Sequence, residues 1–195
     1  MPVVFVIPIR SFHLGKSRLA GALDQIDRKR LARHLANHVV TTLRSSDVET
    51  AVVTADEEVA SWVSGVGVEV VRDPGRGLDR AASVGANWAI DRKQPWVIIH
   101  GDLPRLTVRD VTSVRDGLVR SGAVIAPSAD GGTSAIGAHT PIEFSYGPAS
   151  FHRHLTRLGQ PELVVRTGLL FDIDDSHDLR QAGLESVAMS DRSRS

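Results

Sequence analysis

Two kinds of hydrophobic pattern alternate along this chain. Short, mostly apolar runs, Val3–Ile9, Val48–Thr54, Val66–Val71, Trp96–Ile99 and Ala123–Ala126, end in charged or turn-forming residues. Rich in Val and Ile, and interrupted by a charge only at Glu49 and Glu69, they read as strands buried largely on both faces, the habit of a parallel sheet. Between them lie stretches in which apolar residues return every three or four positions. The longest is Asp27–Leu43, where Leu31, Leu35, Val39 and Leu43 form a stripe widened by Ala32, Ala36 and Val40. Such a stripe predicts an amphipathic helix packed on the sheet. Asp56–Val63, Arg80–Asp91 and Val108–Val119 repeat the pattern, and Glu162–Val165, Leu169–Phe171 and a short helix through Leu179 and Ala182 complete the prediction. Strands alternating with helices imply right-handed crossovers. The predicted fold class is α/β, a three-layer α/β/α arrangement around a mostly parallel sheet.

Composition narrows what this fold can be doing. The 195 residues hold 23 basic and 23 acidic side chains and no cysteine. Neither sign of charge forms a block, so a nucleic-acid-coating surface has no support. The absence of cysteine removes disulfides, thiolate zinc sites and cysteine nucleophiles, and fits a reducing cytoplasm. No apolar run reaches membrane-spanning length. One domain over residues 1–189 is expected, with 190–195 a polar, disordered tail, and a homodimer is left open.

The chemistry-bearing residues gather where strands end. After Trp96–Ile99 comes His100-Gly101-Asp102-Leu103-Pro104, which carries one aspartate off the carboxyl end of a buried strand, the edge where open α/β sheets bind ligands. Asp102 reads either as a Mg²⁺ ligand or as a turn or cap aspartate. The first strand leads into a basic loop with Arg10, Lys16 and Arg18, suited to phosphates or simply to solvent. Gly15-Lys16-Ser17 imitates the end of a Walker A loop, but Arg10 stands where that motif needs its first glycine. His34 and His38 share a helical face with no third ligand and read as surface residues.

Asp73-Pro-Gly-Arg-Gly77-Leu78-Asp79 is a turn-rich loop before a helix. Gly77 lets the backbone lie against a base, and Asp79 either caps the helix or accepts hydrogen bonds from guanine N1 and N2. Pro127–Gly137 combines glycines with hydroxyls and reads as an anion-contacting loop or a plain hairpin. Pro148 is expected at the first helical position, leaving the amides near Ala149 and Ser150 as an anion seat, with His154 one turn on, a structural histidine or an added donor. Asp172 and Asp174, on one face of an extended segment, can meet Asp102 across an ion, and Asp175 is placed as a helix cap.

The order and spacing of these pieces resemble one family, the 2-phospho-L-lactate and phosphoenolpyruvate guanylyltransferases of coenzyme F420 biosynthesis. The likeness runs through Ile7-Pro8-Ile9-Arg10, Lys16-Ser17-Arg18-Leu19, Gly101-Asp102-Leu103-Pro104, Gly132-Thr133, Tyr146–Phe151 with His154, and Asp172-Ile173-Asp174. It implies a GT-A-like nucleotidyltransferase fold, Mg²⁺ on Asp102 and Asp172, GTP triphosphate on Arg10, Lys16 and Arg18, and a small phosphoacid on Thr133, Gly147 and Ser150. Two departures stand out. Asp130-Gly131-Gly132-Thr133-Ser134 replaces the family's Gly-Thr-Gly-Thr-Asn, and Gly77-Leu78-Asp79 replaces its Gly-Leu-Asn.

The implied reaction suits the residues. An ionised phosphate attacking the α-phosphorus of GTP needs no general base, but it needs cations, here Lys16 and Arg10 beside the metal, to offset anion repulsion. Another sugar- or cofactor-type nucleotidyltransferase, and a GTP-binding protein without turnover, are the competing expectations.

Overall fold

The computed structural model describes residues 2–13, 16–173, 175–184 and 187, so Asp174 and the tail 190–195 lie outside the described residues. The strands are β1 (Val4–Pro8), β2 (Glu49–Thr54), β3 (Glu69–Arg72), β4 (Trp96–Ile99), β5 (Ala123–Pro127), β6 (Thr133–Ala138) and β7 (Glu162–Leu163). They form one sheet in the order β3-β2-β1-β4-β6-β5-β7. All pairings are parallel except those of β6, which runs antiparallel to both β4 and β5.

Alternation along the central strands sorts the core into two layers. Phe5 and Ile7 face Val39 and Leu43 of α1 (Gln25–Arg44), Val59 and Val63 of α2 (Glu57–Gly65), and Val111, Val114 and Leu118 of α4 (Val108–Ser121). Val4 and Val6 face Ala82 and Ala86 of α3 (Leu78–Asp91), and that layer also takes up Phe151 and Leu155 of α5 (Ser150–Leu158). Burying each large apolar side chain contributes roughly 1.5–3 kcal/mol. The α3 helix sits close because Gly85 lies over β1 and β2, where a Cβ would come 2.4 Å from Val6 Cγ1. The three-layer expectation therefore holds.

Caps explain most helix starts. Asp56 accepts the amides of Glu58 and Val59 at 2.9 and 3.0 Å. Thr107 and Asp110 form a reciprocal capping box at the head of α4, so Asp102 is not its cap.

Several local readings change. The stretch 133–138, read as a loop, is a fully buried strand. It can sit between β4 and β5 because Gly137 has no side chain; a Cβ there would lie 2.6 Å from Trp96 O. Leu169–Phe171, read as a strand, belongs instead to the single turn α6 (Thr167–Leu170) and its exit. Asp172 therefore follows a helix rather than lying on a strand. A third apolar cluster fixes this segment: Ile173 and Leu179, the latter on α7 (Ser176–Gln181), pack against Leu19, Leu23, Leu31 and Leu35. Asp175 caps α7, as expected.

Candidate functional site

The order of the sheet reverses at β1, which runs between β2 and β4. Connections leave in opposite directions there, and a crevice opens at the carboxyl ends of the two strands. It holds a cavity of about 620 Å³, bounded by the β1 exit (Pro8–Phe12), the β4 exit (His100–Asp102), the β5–β6 hairpin and the head of α5. Arg10, Lys16, Arg18, Asp102, Thr133, Gly147, Ser150 and Asp172 all line it. Eight residues scattered over the sequence thus meet in one place.

The cations come from the β1 exit. Arg10 and Arg18 are exposed, while the Lys16 side chain is buried to 8 % exposure and its ammonium sits on Asp102 Oδ2. Lys16 holds this position from a left-handed backbone, φ 58°, at the head of a 3₁₀ turn (Ser17–Gly21). Burial works to raise the Asp102 carboxyl, but the Lys16 ammonium and His100 outweigh it and hold it below the usual carboxylate range. One ligand atom each from His100, Asp102 and Asp172 lie within 4.8 Å of one another. One imidazole and two carboxylates at that spacing are a donor set a divalent cation can use. His34 and His38 stand apart from it; His34 is exposed and His38 Nε2 lies 3.0 Å from Leu106 O.

The lining also carries buried hydroxyls. Thr133 and Ser150, each 1 % exposed, have their oxygens 3.3 Å apart. Buried His154 has Nδ1 3.0 Å from Thr133 Oγ1, and its Nε2 accepts the Ser145 amide at 3.0 Å. Because that amide can only donate, the hydrogen-bond network assigns the ring proton to Nδ1. Burial, aided by Arg157 and Arg153 against the opposing pull of Asp79, lowers the His154 pKa to about 4, so the ring is neutral at physiological pH. His154 is thus the structural histidine, touching the cavity only through Thr133.

The helix-head expectation needs correction. Ala149, with φ 57°, is the cap of α5, and Pro148 lies before it rather than at its first position. The Ser150 amide donates to Gly147 O at 3.0 Å and that of Phe151 to Gly131 O at 3.3 Å. The Ser150 amide, read as part of an anion seat, is therefore occupied by the chain's own carbonyl, as is that of the next residue, Phe151. In the hairpin, Asp130 takes the Ser128 hydroxyl and, at 2.9 Å, the Gly132 amide, which hold its carboxyl low. The departure from the family's loop thus closes the turn internally.

The cap reading of Asp79 needs correction. Helix α3 begins at Leu78 with Gly77 as its cap, so Asp79 is already inside the helix. Its Oδ1 accepts the Tyr146 amide at 2.7 Å. Gly77 lines not the main cavity but an adjoining one of about 280 Å³, and Asp79 lines neither.

Three residues were missed. His100 lies two positions before Asp102, a spacing that shares a face in extended chain. Tyr146 lines the main cavity with a buried hydroxyl that makes no hydrogen bond among the described residues, and burial pushes that hydroxyl's pKa up. Asp73 directly follows β3, at the ligand-binding edge of the sheet.

Comparison with known proteins agrees with this geometry. Residues 3–184 match the family described as "Guanylyl transferase CofC like". Phosphoenolpyruvate guanylyltransferase of Chloroflexus aurantiacus is 35% identical over 189 residues, covering 90% of this chain and 92% of its own. 2-Phospho-L-lactate guanylyltransferase of Methanopyrus kandleri is 32% identical, covering 92% of this chain and 90% of its own. Among solved structures, a protein of Desulfovibrio desulfuricans G20 described as a candidate nucleotide-diphospho-sugar transferase superposes with a TM-score of 0.77 at 16% identity, covering 100% of this chain and 92% of that one. The 4-diphosphocytidyl-2C-methyl-D-erythritol synthase of Anaerococcus prevotii superposes with a TM-score of 0.62 at 13% identity, covering 93% and 94%. These two likenesses bear on the fold alone, and they fit a GT-A-like nucleotidyltransferase sheet.

Proposed function

This chain belongs to the CofC-like guanylyl transferase family, and from that premise we propose that it transfers GMP from GTP to the phosphate of a small phosphoacid, as a step in coenzyme F420 biosynthesis. The observation that carries the reading is one cavity lined both by cations and carboxylates, with Lys16 on Asp102, and by the paired buried hydroxyls of Thr133 and Ser150. Phosphoenolpyruvate is the first acceptor to test, since the 35% identical Chloroflexus relative bears that name, with 2-phospho-L-lactate second.

In this reaction an oxygen of the acceptor phosphate forms a bond to the α-phosphorus of GTP. The bond from that phosphorus to the α,β-bridging oxygen breaks, and pyrophosphate leaves with the electron pair. A phosphate monoester has a second pKa of about 6, so the nucleophile is already ionised at neutral pH and no general base is needed. The barrier is anion repulsion, roughly 4 kcal/mol per unit-charge pair at 4 Å in a surface-like dielectric. Arg10, Lys16 and Arg18 are suited to offset it by binding the triphosphate, Lys16 with least freedom because it is buried. Thr133, Gly147 and Ser150 are suited to hold the phosphoacid.

The donor set fits a divalent cation, Mg²⁺ by the chemistry of nucleotide phosphates, with Asp102 and Asp172 as ligands and His100 within reach of the same point. Bound there, the ion would neutralise phosphate charge and polarise the α-phosphoryl group. The test is pyrophosphate release from GTP and Mg²⁺ with phosphoenolpyruvate, 2-phospho-L-lactate and 3-phosphoglycerate in parallel. Release with one acceptor supports the reading and names the substrate. No release from any, by protein that binds GTP, rejects the proposed acceptors.

A further inference from the structure

Asp79 Oδ1 accepts the Tyr146 amide and Asp79 lines neither cavity, whereas the second cavity offers a means of recognising the base of the nucleotide. It opens beside the main one and shares Pro8, Ile9, Arg10 and Leu78 with it. Its remaining walls are Val53 and Ala55 at the end of β2, Ala81 of α3, and Asp73, Gly75 and Gly77 of the loop after β3. Gly75 and Gly77 have φ of 78° and 95°, and a Cβ on Gly77 would meet nothing within 4 Å. One wall is therefore bare backbone beside open space, and the others are largely apolar, a setting for the flat face of a heterocycle.

Asp73 is the chemical anomaly in this cavity. Its amide is tied to Thr54 O at 3.1 Å, which fixes the loop to the end of β2. Its Oδ1 is buried and accepts no hydrogen bond among the described residues. A buried acceptor without a donor carries a desolvation cost that a ligand presenting N–H groups would remove. We propose that Asp73 selects guanine, its carboxylate accepting hydrogen bonds from N1–H and the N2 amine of the base.

The donor pattern of the bases favours this assignment. Guanine presents two adjacent N–H donors, matching the two oxygens of a carboxylate. Adenine and cytosine present one amine next to a ring-nitrogen acceptor, which would meet the carboxylate lone pairs. Uracil presents a single N–H flanked by two carbonyls. A carboxylate in a largely apolar, backbone-walled cavity, with Arg10 the other charged residue of its lining, thus rejects three bases by unpaired or repulsive contacts, the more powerful form of discrimination.

The inference rests on the proposed use of GTP, and the experiment separates the two. Binding of GTP, ITP, XTP and ATP, each with Mg²⁺, is measured by calorimetry for the wild type, Asp73→Asn, Asp73→Ala and Asp79→Asn. ITP lacks the N2 amine, and XTP carries a carbonyl in its place. The wild type is expected to bind GTP about 10-fold more tightly than ITP and at least about 100-fold more tightly than XTP. Asp73→Asn should reverse the order of GTP and XTP, because an amide can donate to the new carbonyl and still accept from N1–H. A gain in XTP binding cannot come from misfolding. Asp73→Ala should flatten the ranking, and Asp79→Asn should retain it. GTP preference unchanged in Asp73→Asn and Asp73→Ala would overturn the assignment while leaving the guanylyltransferase reading intact. A wild type that prefers ATP, or binds no nucleotide, would overturn both.

Discussion

His154 donates its Nδ1 proton to Thr133 Oγ1 across 3.0 Å, and the direction of that bond determines what the cavity offers a ligand. Thr133 and Ser150 share one hydrogen bond between their hydroxyls, and between them they own two protons. Since the histidine fills an acceptor position on Thr133 and gives rather than takes, one hydroxyl proton is left over. The wall therefore presents a donor, the right polarity for a phosphate or carboxylate oxygen.

His154→Phe should accordingly raise the acceptor KM by ~10- to 100-fold, the scale of one hydrogen bond to a charged group, with the KM for GTP changed less than about 2-fold. His154→Gln, which keeps a donor at similar reach, should recover part of the loss. Steady-state kinetics with each substrate varied in turn measures this. Equal rises in both KM values would mean the histidine only supports the fold.

The same residue gives a pH dependence of stability. Its pKa falls from an unfolded value of 6.5 to about 4 in the folded protein, so the unfolded chain binds the proton more readily. Stability should be constant from this source above pH 6.5, fall as pH drops from 6.5 to 4, and level off below. At about 1.36 kcal/mol per unit the full loss is of order 2–4 kcal/mol. The carboxyls held low, Asp102 and Asp130, act in a separate window below their ordinary pKa of 3.8. Urea midpoints at pH 7, 5.5 and 4.5 should shift for the wild type and much less for His154→Phe.

What could be read from the sequence followed physical rules of short range. Mostly apolar runs gave β1, β2, β4 and β5, and the stripe Leu31–Leu35–Val39–Leu43 gave α1, because burial on one or both faces writes its period into the chain. The placing of Arg10 and Asp102 at strand exits, beside one cavity, was legible for the same reason. Strand β6 was not, since its Thr133-Ser134 start and Gly137 read as loop chemistry, and only its pairing between β4 and β5 makes it a strand. Asp79 read as a helix cap or a base contact, and its observed partner, the Tyr146 amide, was not foreseen because it lies 67 residues away. No local pattern reports such a contact. Asp73 was passed over as a turn residue because the missing donor at its Oδ1 shows only in three dimensions.

Gly137 tests the claim that β6 depends on an absent side chain. In Gly137→Ala the new Cβ would meet Trp96 O at 2.6 Å and Val97 Cγ2 at 2.8 Å, and the first of these is backbone that cannot swing away. The sheet has to open between β4 and β6, at an expected cost of ~2–4 kcal/mol. For a chain of this length that corresponds to a Tm lowered by roughly 5–15 °C, read by calorimetry. A change below ~2 °C would show that the strands have slack.

The pairing of Lys16 with Asp102 leads to a prediction in which two affinities move in opposite directions. The buried ammonium lies on the carboxylate proposed as a metal ligand, so a divalent cation arriving alone meets a positive charge already in position. A nucleotide changes this balance, because its phosphates give Lys16 a second anion to bind. Replacing Lys16 with methionine keeps the unbranched stem that fills the space and removes the charge. Mn²⁺ binding to the nucleotide-free protein, followed by the loss of its free-ion EPR signal, should then tighten by ~3- to 10-fold. GTP binding in the presence of the metal should weaken by at least ~10-fold, as expected for losing one charge-assisted contact. In Asp102→Asn the Mn²⁺ signal should stay that of the free ion whether or not Lys16 is present. Metal binding that weakens in Lys16→Met would show that the lysine organises the ligands rather than competing with the ion, and Mn²⁺ binding that survives Asp102→Asn would move the ion away from the end of β4.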